Sequence, residues 1–241
     1  MSDTIYCDTH GDSEPAHVCI HLTEDAAGLG FNCSEASEVA WCDNCDEAEA
    51  QFEVCSGCYE RSRIRNTRTD VSFEELANLR WKCHCCEEWH YGPCLDFSYD
   101  SPDYWSSELK ELPTNYLDED ICIIDGEDYF VRGVIHLPII GTTETFRWGV
   151  WGSLSRENFE KMVAMNEEVE LPPMFSWLSS QIDEYPDTLN LKMYAHIQEL
   201  KQRPIFELEP TDHPLSQEFY QGITPERVKE IMMRRLDLPV N

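Results

Sequence analysis

Basic residues are scarce in this sequence and absent from its first sixty positions. Residues 1–60 contain fourteen aspartates and glutamates but no lysine or arginine. The whole chain has 18 basic residues against 47 acidic ones, which gives a net charge of −29 at pH 7. Nucleic-acid binding draws most of its affinity from neutralising phosphates, so this charge argues against a nucleic-acid partner. We expect instead an acidic protein whose partner is a protein with a basic surface.

Long hydrophobic runs are also absent. No apolar stretch approaches the ~18–20 residues needed to span a bilayer, so we expect no membrane association. The N-terminal residues MSDTIYCDTHGD are acidic and polar, unlike a secretory signal. We therefore expect a cytoplasmic protein. In that reducing compartment, closely paired cysteines such as several of the twelve present here are more often metal ligands than disulfide partners.

Common catalytic signatures are missing too. The sequence has no glycine-rich phosphate loop, no nucleophile elbow and no HExxH motif. The enzyme alternative is a small-molecule pocket with an arginine, a carboxylate and two histidines, namely Arg132, Asp212, His136 and His213. Such groups could bind an anion and move a proton. We favour a structural interpretation, in which Arg132 pairs with Glu209 and Asp212 caps the helix that follows it.

Potential metal ligands near the N-terminus come in four pairs. Two cysteines separated by two residues can turn both sulfurs toward one ion, which is why structural zinc sites reuse that spacing. The pairs are Cys7 with His10, Cys19 with His21, Cys42 with Cys45, and Cys55 with Cys58. Eight ligands suffice for two tetrahedral sites, filled sequentially or interleaved as in a cross-brace. The spacing does not choose between these arrangements.

A metal would also explain how this segment folds. Residues 1–60 have few large apolar side chains and much like charge, so their core alone could scarcely offset the conformational entropy of folding. A structural zinc ion contributes ~10 kcal/mol or more to the folding of small finger peptides. We expect two or three structural Zn²⁺ ions in the whole chain. Cys33 has no paired cysteine and is expected to be a small buried residue.

A further cysteine knuckle lies at residues 81–90, WKCHCCEEWH. Cys83 and Cys86 have the two-residue gap, and His90 is near enough in sequence to be a third ligand. Cys122 is the predicted fourth ligand, with Cys94 as the alternative. Cys122 would connect the knuckle to the sheet predicted next.

Residues 121–155 favour an antiparallel sheet. Asp125 and Gly126 form a tight-turn signal between two apolar runs, and apolar residues alternate at period two on the C-terminal side of the turn. We predict an α+β fold with helices packed on an antiparallel sheet, the knuckle at its edge, and a small irregular zinc-stabilised N-terminal module. The predicted divisions are 1–66 for the zinc-binding module, 67–80 for a linker helix, and 81–241 for the α+β domain.

Several motifs of the C-terminal two thirds resemble a bacterial family known as domain of unknown function 2199. They are the knuckle of Cys83, Cys86 and His90, DICIIDGEDYFVRGVI, FRWGVWGSLSRENF, YPDT, RPIFELEPTDHPLSQE and GITPERVKEI. The resemblance covers about residues 78–238 and implies no mechanism. The family usually has glycine at the position of Glu87 in this chain. Glycine would relieve strain in a tight turn around a metal, because it tolerates positive φ. The N-terminal segment is similar to treble-clef or cross-brace fingers without matching a named family.

The leading functional interpretation is an acidic, zinc-binding protein-protein interaction module. An immunity protein or antitoxin is one variant of this hypothesis, because acidic charge would then neutralise a basic toxin surface. An enzymatic role is not expected, and the oligomeric state is left open.

Overall fold

The computed structural model describes residues 4–7, 11–23, 27–34, 39–67, 73–83, 86–165, 171–198 and 202–238. Clustering of contacts divides the chain into two compact units. The first comprises Met1–Pro93, Pro138–Thr145 and Gln221–Asn241, and the second comprises Cys94–Leu137 and Phe146–Tyr220. This division differs from the predicted boundaries at 66 and 80, because two segments distant in sequence join the N-terminal residues. Within the described residues, no helix combines the length and apolar character needed to cross a membrane.

Short elements dominate the first unit. In chain order they are β1 Ile5–Cys7, β2 Gly11–Ser13, β3 Pro15–Val18, β4 Asn32–Cys33, β5 Val39–Trp41, β6 Phe52–Cys55, α1 Ser56–Asn66, α2 Phe73–Ala77, β7 Arg80–Lys82 and β8 Trp89–Tyr91. Strand β3 lies between β5, to which it is parallel, and β6, to which it is antiparallel, while β4 continues the sheet beyond β5. Strands β1 with β2 and β7 with β8 form separate antiparallel pairs.

The core of this N-terminal sheet is small and contains cysteines. Its buried members are Val18, Cys19, Leu22, Ala40 and Cys42. Polar groups of α1 help to close it, since the Ser62 hydroxyl donates to the Leu22 carbonyl at 2.9 Å and the Leu29 amide donates to Asn66 Oδ1 at 3.1 Å. So few apolar side chains bury little surface, which leaves folding dependent on additional interactions.

The longer elements belong mainly to the second unit. They are β9 Asp96–Ser98, β10 Tyr116–Leu117, β11 Ile121–Ile124, β12 Asp128–Pro138, β13 Thr145–Leu154, α3 Arg156–Val163, β14 Met174–Leu178, β15 Lys192–His196, β16 Ile205–Leu208, α4 Pro214–Gln221 and α5 Pro225–Arg235. The last helix, α5, lies in the first unit. Ser155 caps α3 by accepting from the Asn158 amide at 3.2 Å, and Thr224 caps α5 by accepting from the Arg227 amide at 3.2 Å.

The main sheet is a closed barrel, and the prediction of a simple antiparallel sheet was wrong. Strands follow the order β12, β16, β15, β14, β13, and β13 pairs again with β12. The β12–β16 pair is parallel, as is the pair of β13 with the outlying strand β9. Strands β10 and β11 extend the sheet from β12. Closure satisfies both edges of these five strands, which a flat sheet would leave unpaired.

The turn predicted at Asp125 and Gly126 is present, and β14 alternates in burial. Asp125 has φ 54° and Gly126 has φ 69°, and these two left-handed residues lie in the connection between the paired residues Ile124 and Asp128. Met174–Leu178 is a strand. Its burial alternates at period two, with Met174, Ser176 and Leu178 inside.

The ring of Phe206 fills the barrel interior opposite two glycines. A Cβ atom on Gly133 would lie 2.4 Å from Phe206 Cε2, and one on Gly152 would lie 2.7 Å from Phe206 Cζ. Both distances are shorter than van der Waals contact, so only glycine leaves room for the ring at these positions. Protein interiors are packed closely enough that one added methyl group is felt.

The change Gly152→Ala is therefore expected to destabilise the barrel by about 1–3 kcal/mol, the usual cost of overpacking a core. The added methyl would also meet Ser176 Oγ at 2.5 Å and Met193 Cε at 2.6 Å. Urea denaturation followed by tryptophan fluorescence measures the loss. Val163→Ile adds one carbon at an exposed position of α3 and serves as the control. Equal midpoints for the two variants would contradict this account of the packing.

Candidate metal centres

Four predicted ligands converge in the N-terminal sheet: Cys19, His21, Cys42 and Cys45. All their ligand atoms lie within 4.8 Å of one another. The first two follow β3, with the histidine in a 3₁₀ turn at Ile20–Leu22, and the other two follow β5. Since β3 and β5 are parallel neighbours, the ends of both strands bring their following loops to the same edge of the sheet.

Two distances within this group are close to the edges of a tetrahedral metal site. His21 Nδ1 lies 3.2 Å from Cys45 Sγ and 3.7 Å from Cys42 Sγ. A zinc ion with bonds of about 2.3 Å to sulfur and about 2.0 Å to nitrogen gives nitrogen–sulfur edges of about 3.5 Å. The Cys42 amide also donates to Cys19 Sγ at 3.4 Å. Backbone donors of this kind orient a ligating sulfur and stabilise its negative charge.

Without a cation, the Cys45 sulfur does not ionise readily. Burial, followed by the neighbouring sulfurs of Cys42 and Cys19, raises the pKa of the Cys45 thiol to about 12. A thiolate is the form that ligates metal, and a divalent cation reverses this effect by supplying opposite charge at the centre of the group. The arrangement is therefore suited to a bound metal ion.

A second group contains Cys7, Cys55 and Cys58, whose ligand atoms also lie within 4.8 Å of one another. Cys7 Sγ is 3.8 Å from Cys58 Sγ, although 51 residues separate the two cysteines. Sulfur–sulfur edges of a zinc tetrahedron are also about 3.8 Å. The Cys58 amide donates to Cys55 Sγ at 3.3 Å. His10, the predicted fourth ligand, lies outside the described residues.

The four pairs are nested. The second and third pairs, which start at Cys19 and Cys42, form one group, and the first and fourth, at Cys7 and Cys55, supply the other. Neither the sequential nor the interleaved arrangement considered from the sequence has this form. The reason is the order of strands: β3 pairs with both β5 and β6, and each neighbour carries the partner ligands to a different end of β3.

The third group is the knuckle, with Cys83, Cys86 and His90 within 4.8 Å of one another. Cys86 Sγ lies 3.3 Å from His90 Nε2. The hairpin of β7 and β8 holds the histidine, whose ring stacks on Trp81 with centroids 4.6 Å apart. His84 and Cys85 lie outside the described residues.

Glu87 is strained in the tight turn of this knuckle. Its amide donates to the Cys83 carbonyl at 3.0 Å, and its φ is 58°, in the left-handed region. The sequence argument that glycine would relieve this turn therefore has a structural basis. A side chain in the left-handed conformation costs about 1–2 kcal/mol relative to the right-handed one.

The three described ligands of the knuckle group do not include Cys122 or Cys94, so the predicted fourth ligand stays a prediction. Cys122 is fully buried beside Ile124, Phe130 and Trp151. Burial, with a smaller contribution from the nearby Asp118 carboxylate, raises the pKa of its thiol to about 12. Cys94 Sγ lies 3.5 Å from the Asp96 carbonyl. Cys122 therefore lies in the hydrophobic core. Its burial depends on how the strands pair, which cannot be read from the positions of the cysteines in the sequence. Cys33, expected to be buried, is exposed.

The predicted catalytic constellation is dispersed. Arg132 donates to Ser98 Oγ at 2.9 Å, while Glu209 pairs with Lys192 at 3.8 Å, so the predicted Arg132–Glu209 pair is wrong. His213, not Asp212, caps helix α4. Its Nδ1 accepts a hydrogen bond from the Leu215 amide at 3.1 Å.

Only part of that constellation lines a cavity. Arg132 lines one cavity, and His136 lines an adjoining one together with Asp120 and Arg203. Burial, then the charge of Arg147, lowers the pKa of His136. Sequence reasoning missed Asp120 and Arg203, since they precede different strands and no local motif connects them.

The fold and these groups define a β-barrel domain accompanied by a cysteine- and histidine-rich segment. Residues 82–223 match the family model described as an uncharacterized protein conserved in bacteria, domain of unknown function 2199. The match covers more than half of the chain, so the protein belongs to this family. It includes the knuckle and the barrel but neither N-terminal group. No curated protein and no solved structure matches the chain.

Cys42→Ala tests the four-ligand group. We expect the variant to retain about one divalent metal ion fewer per chain and to lose amide protection in β3 and β5, because ligand loss removes a metal-dependent part of the folding free energy. Elemental analysis and hydrogen exchange measure the two effects. The control is Cys33→Ala, since Cys33 is exposed and belongs to none of the three described groups. Unchanged metal content in both variants would contradict the assignment.

Glu87→Gly tests the knuckle turn. We expect a gain of about 0.5–1 kcal/mol in stability, because relief of the left-handed strain exceeds the entropy cost of glycine in the unfolded chain. The matched control is Glu88→Gly. Glu88 is not among the residues with positive φ, so this change is expected to lower the stability by about 0.5–1 kcal/mol. Thermal unfolding compares the two variants. A loss of stability in Glu87→Gly would show that the turn is not strained.

Proposed function

We propose that this protein is a zinc-stabilised interaction protein whose acidic surface binds a basic protein partner. The observation that supports the zinc assignment most strongly is the four-ligand group of Cys19, His21, Cys42 and Cys45, with every ligand atom within 4.8 Å of the others. Three sulfurs and one imidazole nitrogen in tetrahedral spacing are a typical structural zinc ligand set.

The donor chemistry favours zinc over other common metals. Thiolates select soft or borderline ions, whereas magnesium, calcium and manganese prefer oxygen ligands. A tetrahedral S₃N site supports Zn²⁺ in particular. Cys7, Cys55 and Cys58 would hold a second ion with His10 as the expected fourth ligand, and the knuckle would hold a third.

The role of these ions is structural in this proposal. A complete set of four protein ligands leaves no open coordination position for water or substrate. Among the described residues, the core cluster of the N-terminal sheet has five buried members, and two of them, Cys19 and Cys42, are themselves proposed ligands. Metal binding would therefore supply much of the free energy that keeps this sheet folded.

The acidic surface lies beside the four-ligand group. Between Cys42 and β6, four carboxylate side chains are exposed: Asp43, Asp46, Glu47 and Glu49. Asp46 and Glu49 form a capping box around a 3₁₀ turn, which fixes the backbone of this loop. A zinc-fixed, acidic surface is suited to steer a basic protein partner by complementary charge. An immunity or antitoxin-like role remains one form of this proposal.

The interaction is expected to weaken with salt. Raising NaCl from 0.1 to 0.5 M shortens the Debye length below its ~10 Å value at 0.1 M, so a captured basic partner should be released. A chain with Asp43, Asp46, Glu47 and Glu49 changed to the corresponding amides should lose the partner at low salt, while the amide changes Glu226→Gln and Glu230→Gln in α5 should keep it. Pulldown with quantitative mass spectrometry measures both. A partner retained by the first variant at high salt would refute the electrostatic proposal.

A further inference from the structure

Two adjoining cavities open beside the barrel, and every described residue that lines them belongs to the second unit. Their volumes are about 500 and 300 Å³. They adjoin because four residues line both: Asp120, Gln198, Gln202 and Arg203. Ligand sites for small molecules typically have volumes of ~300–1,000 Å³. Neither Asp212 nor His213 lines either cavity.

Arg132 lines the smaller cavity and is the least compensated buried charge near it. The residue is 8% exposed, and its Nε has no hydrogen-bond acceptor among the described residues. Its other nitrogens donate to the Ser98 hydroxyl at 2.9 Å and to the Glu119 carbonyl at 3.4 Å. The nearest carboxylate oxygen in an ion pair, on Asp100, is 3.8 Å away on a fully exposed side chain. A buried cation without a close counter-ion is costly.

The other charged side chains described at the cavity do not offset Arg132. Arg203 donates through Nε to Asp120 Oδ1 at 2.7 Å, so these two charges offset each other. His136 contributes little positive charge at neutral pH, because burial and the charge of Arg147 lower its pKa. Among the described lining residues, Arg132 therefore carries the one positive charge without a close counter-ion, in a protein whose net charge is −29. Gln198 and Gln202 add amide groups that can donate to an oxygen.

The wall of the smaller cavity is largely apolar. Besides Arg132 and the shared polar residues, it is formed by aliphatic and methionine side chains, among them Ile121, Val131, Met162, Met165 and Ile197. An apolar wall with a few convergent polar groups is typical of small-molecule sites. A hydrated inorganic anion would gain nothing from this wall, whereas an organic anion would bury its carbon chain there.

We propose that this cavity binds a small organic carboxylate, with its carboxylate at Arg132 and its apolar chain against the wall formed by β12 and the end of α3. The carboxylate accepts from the guanidinium of Arg132 and supplies a closer counter-charge than the exposed Asp100 does. Arginine binds carboxylates well because its planar donors match their geometry.

The test uses hexanoate as the probe, titrated into the full-length, metal-loaded protein and followed by NMR of the backbone amides. We expect saturable shifts at Arg132, Gln198 and Met162. Hexylammonium, 1-hexanol and inorganic phosphate are the comparison ligands. All three should bind at least tenfold more weakly, because each lacks either the negative charge or the apolar chain.

Variants locate the interaction. Arg132→Gln is expected to weaken hexanoate binding at least tenfold, and Arg132→Lys is expected to weaken it less, because the charge is kept. Because Arg132 is buried, Arg203→Gln is a second variant on a more exposed side chain, with an expected three- to tenfold loss. Arg227→Gln in α5 is the matched control and should bind as the unchanged protein does, since Arg227 lines neither cavity.

Several results would overturn the proposal. They are the absence of saturable hexanoate binding, equal binding of hexylammonium or 1-hexanol, binding of phosphate alone, and unchanged hexanoate affinity in folded Arg132→Gln or, should that variant not fold, in Arg203→Gln. Shifts confined to residues outside the two cavities would overturn it as well.

Discussion

The convergence of sulfur and imidazole ligands from distant positions is the constraint on which the N-terminal segment of this protein depends. Cys19 and Cys42 are 23 residues apart, and Cys7 and Cys58 are 51 residues apart. Closing such loops costs conformational entropy, and the small core of five buried residues offers little to offset it. A shared cation would offset this cost and would also remove the mutual repulsion of the thiolates. In the nested arrangement, one ion would close the inner loop and the other the outer loop.

The barrel has a different source of stability. Its interior contains large apolar side chains such as Trp148, Phe146 and Phe206, all fully buried. The close approach of Gly133 and Gly152 to the Phe206 ring lets the strands pack around it. The barrel and knuckle are what the family match covers, while the two N-terminal groups lie outside it. The proposed carboxylate site belongs to the barrel and the proposed zinc-dependent acidic surface to the N-terminal segment.

Local features of the fold and of the candidate sites could be predicted from the sequence. The turn at Asp125 and Gly126, the caps Ser155 and Thr224, and the grouping of ligands in close pairs all depend on residues that are neighbours in the chain. The strain at Glu87 could also be predicted from one residue, because a glutamate stands where glycine is usual and only glycine adopts positive φ readily. These signals do not require knowledge of which strands pair.

Features that depend on strand pairing could not be predicted. Barrel closure follows from the second pairing of β12, and the nested ligand groups follow from the position of β3 between β5 and β6. Cys122, the predicted fourth ligand of the knuckle, lies in a hydrophobic cluster, because the pairing of β11 with β12 places it opposite Phe130. The cavity beside Arg132 combines segments before β11 and β16 with β12 and α3, and no periodicity in the sequence reports this combination.

X-ray absorption at the zinc edge, on protein purified without chelator, tests the central claim of this account most directly. The account predicts bound zinc in a four-coordinate first shell of mainly sulfur ligands with about one nitrogen per ion, and zinc–sulfur distances of about 2.3 Å. A protein that folds its N-terminal sheet without zinc, or that holds zinc in a six-coordinate shell of oxygen and nitrogen, would contradict it.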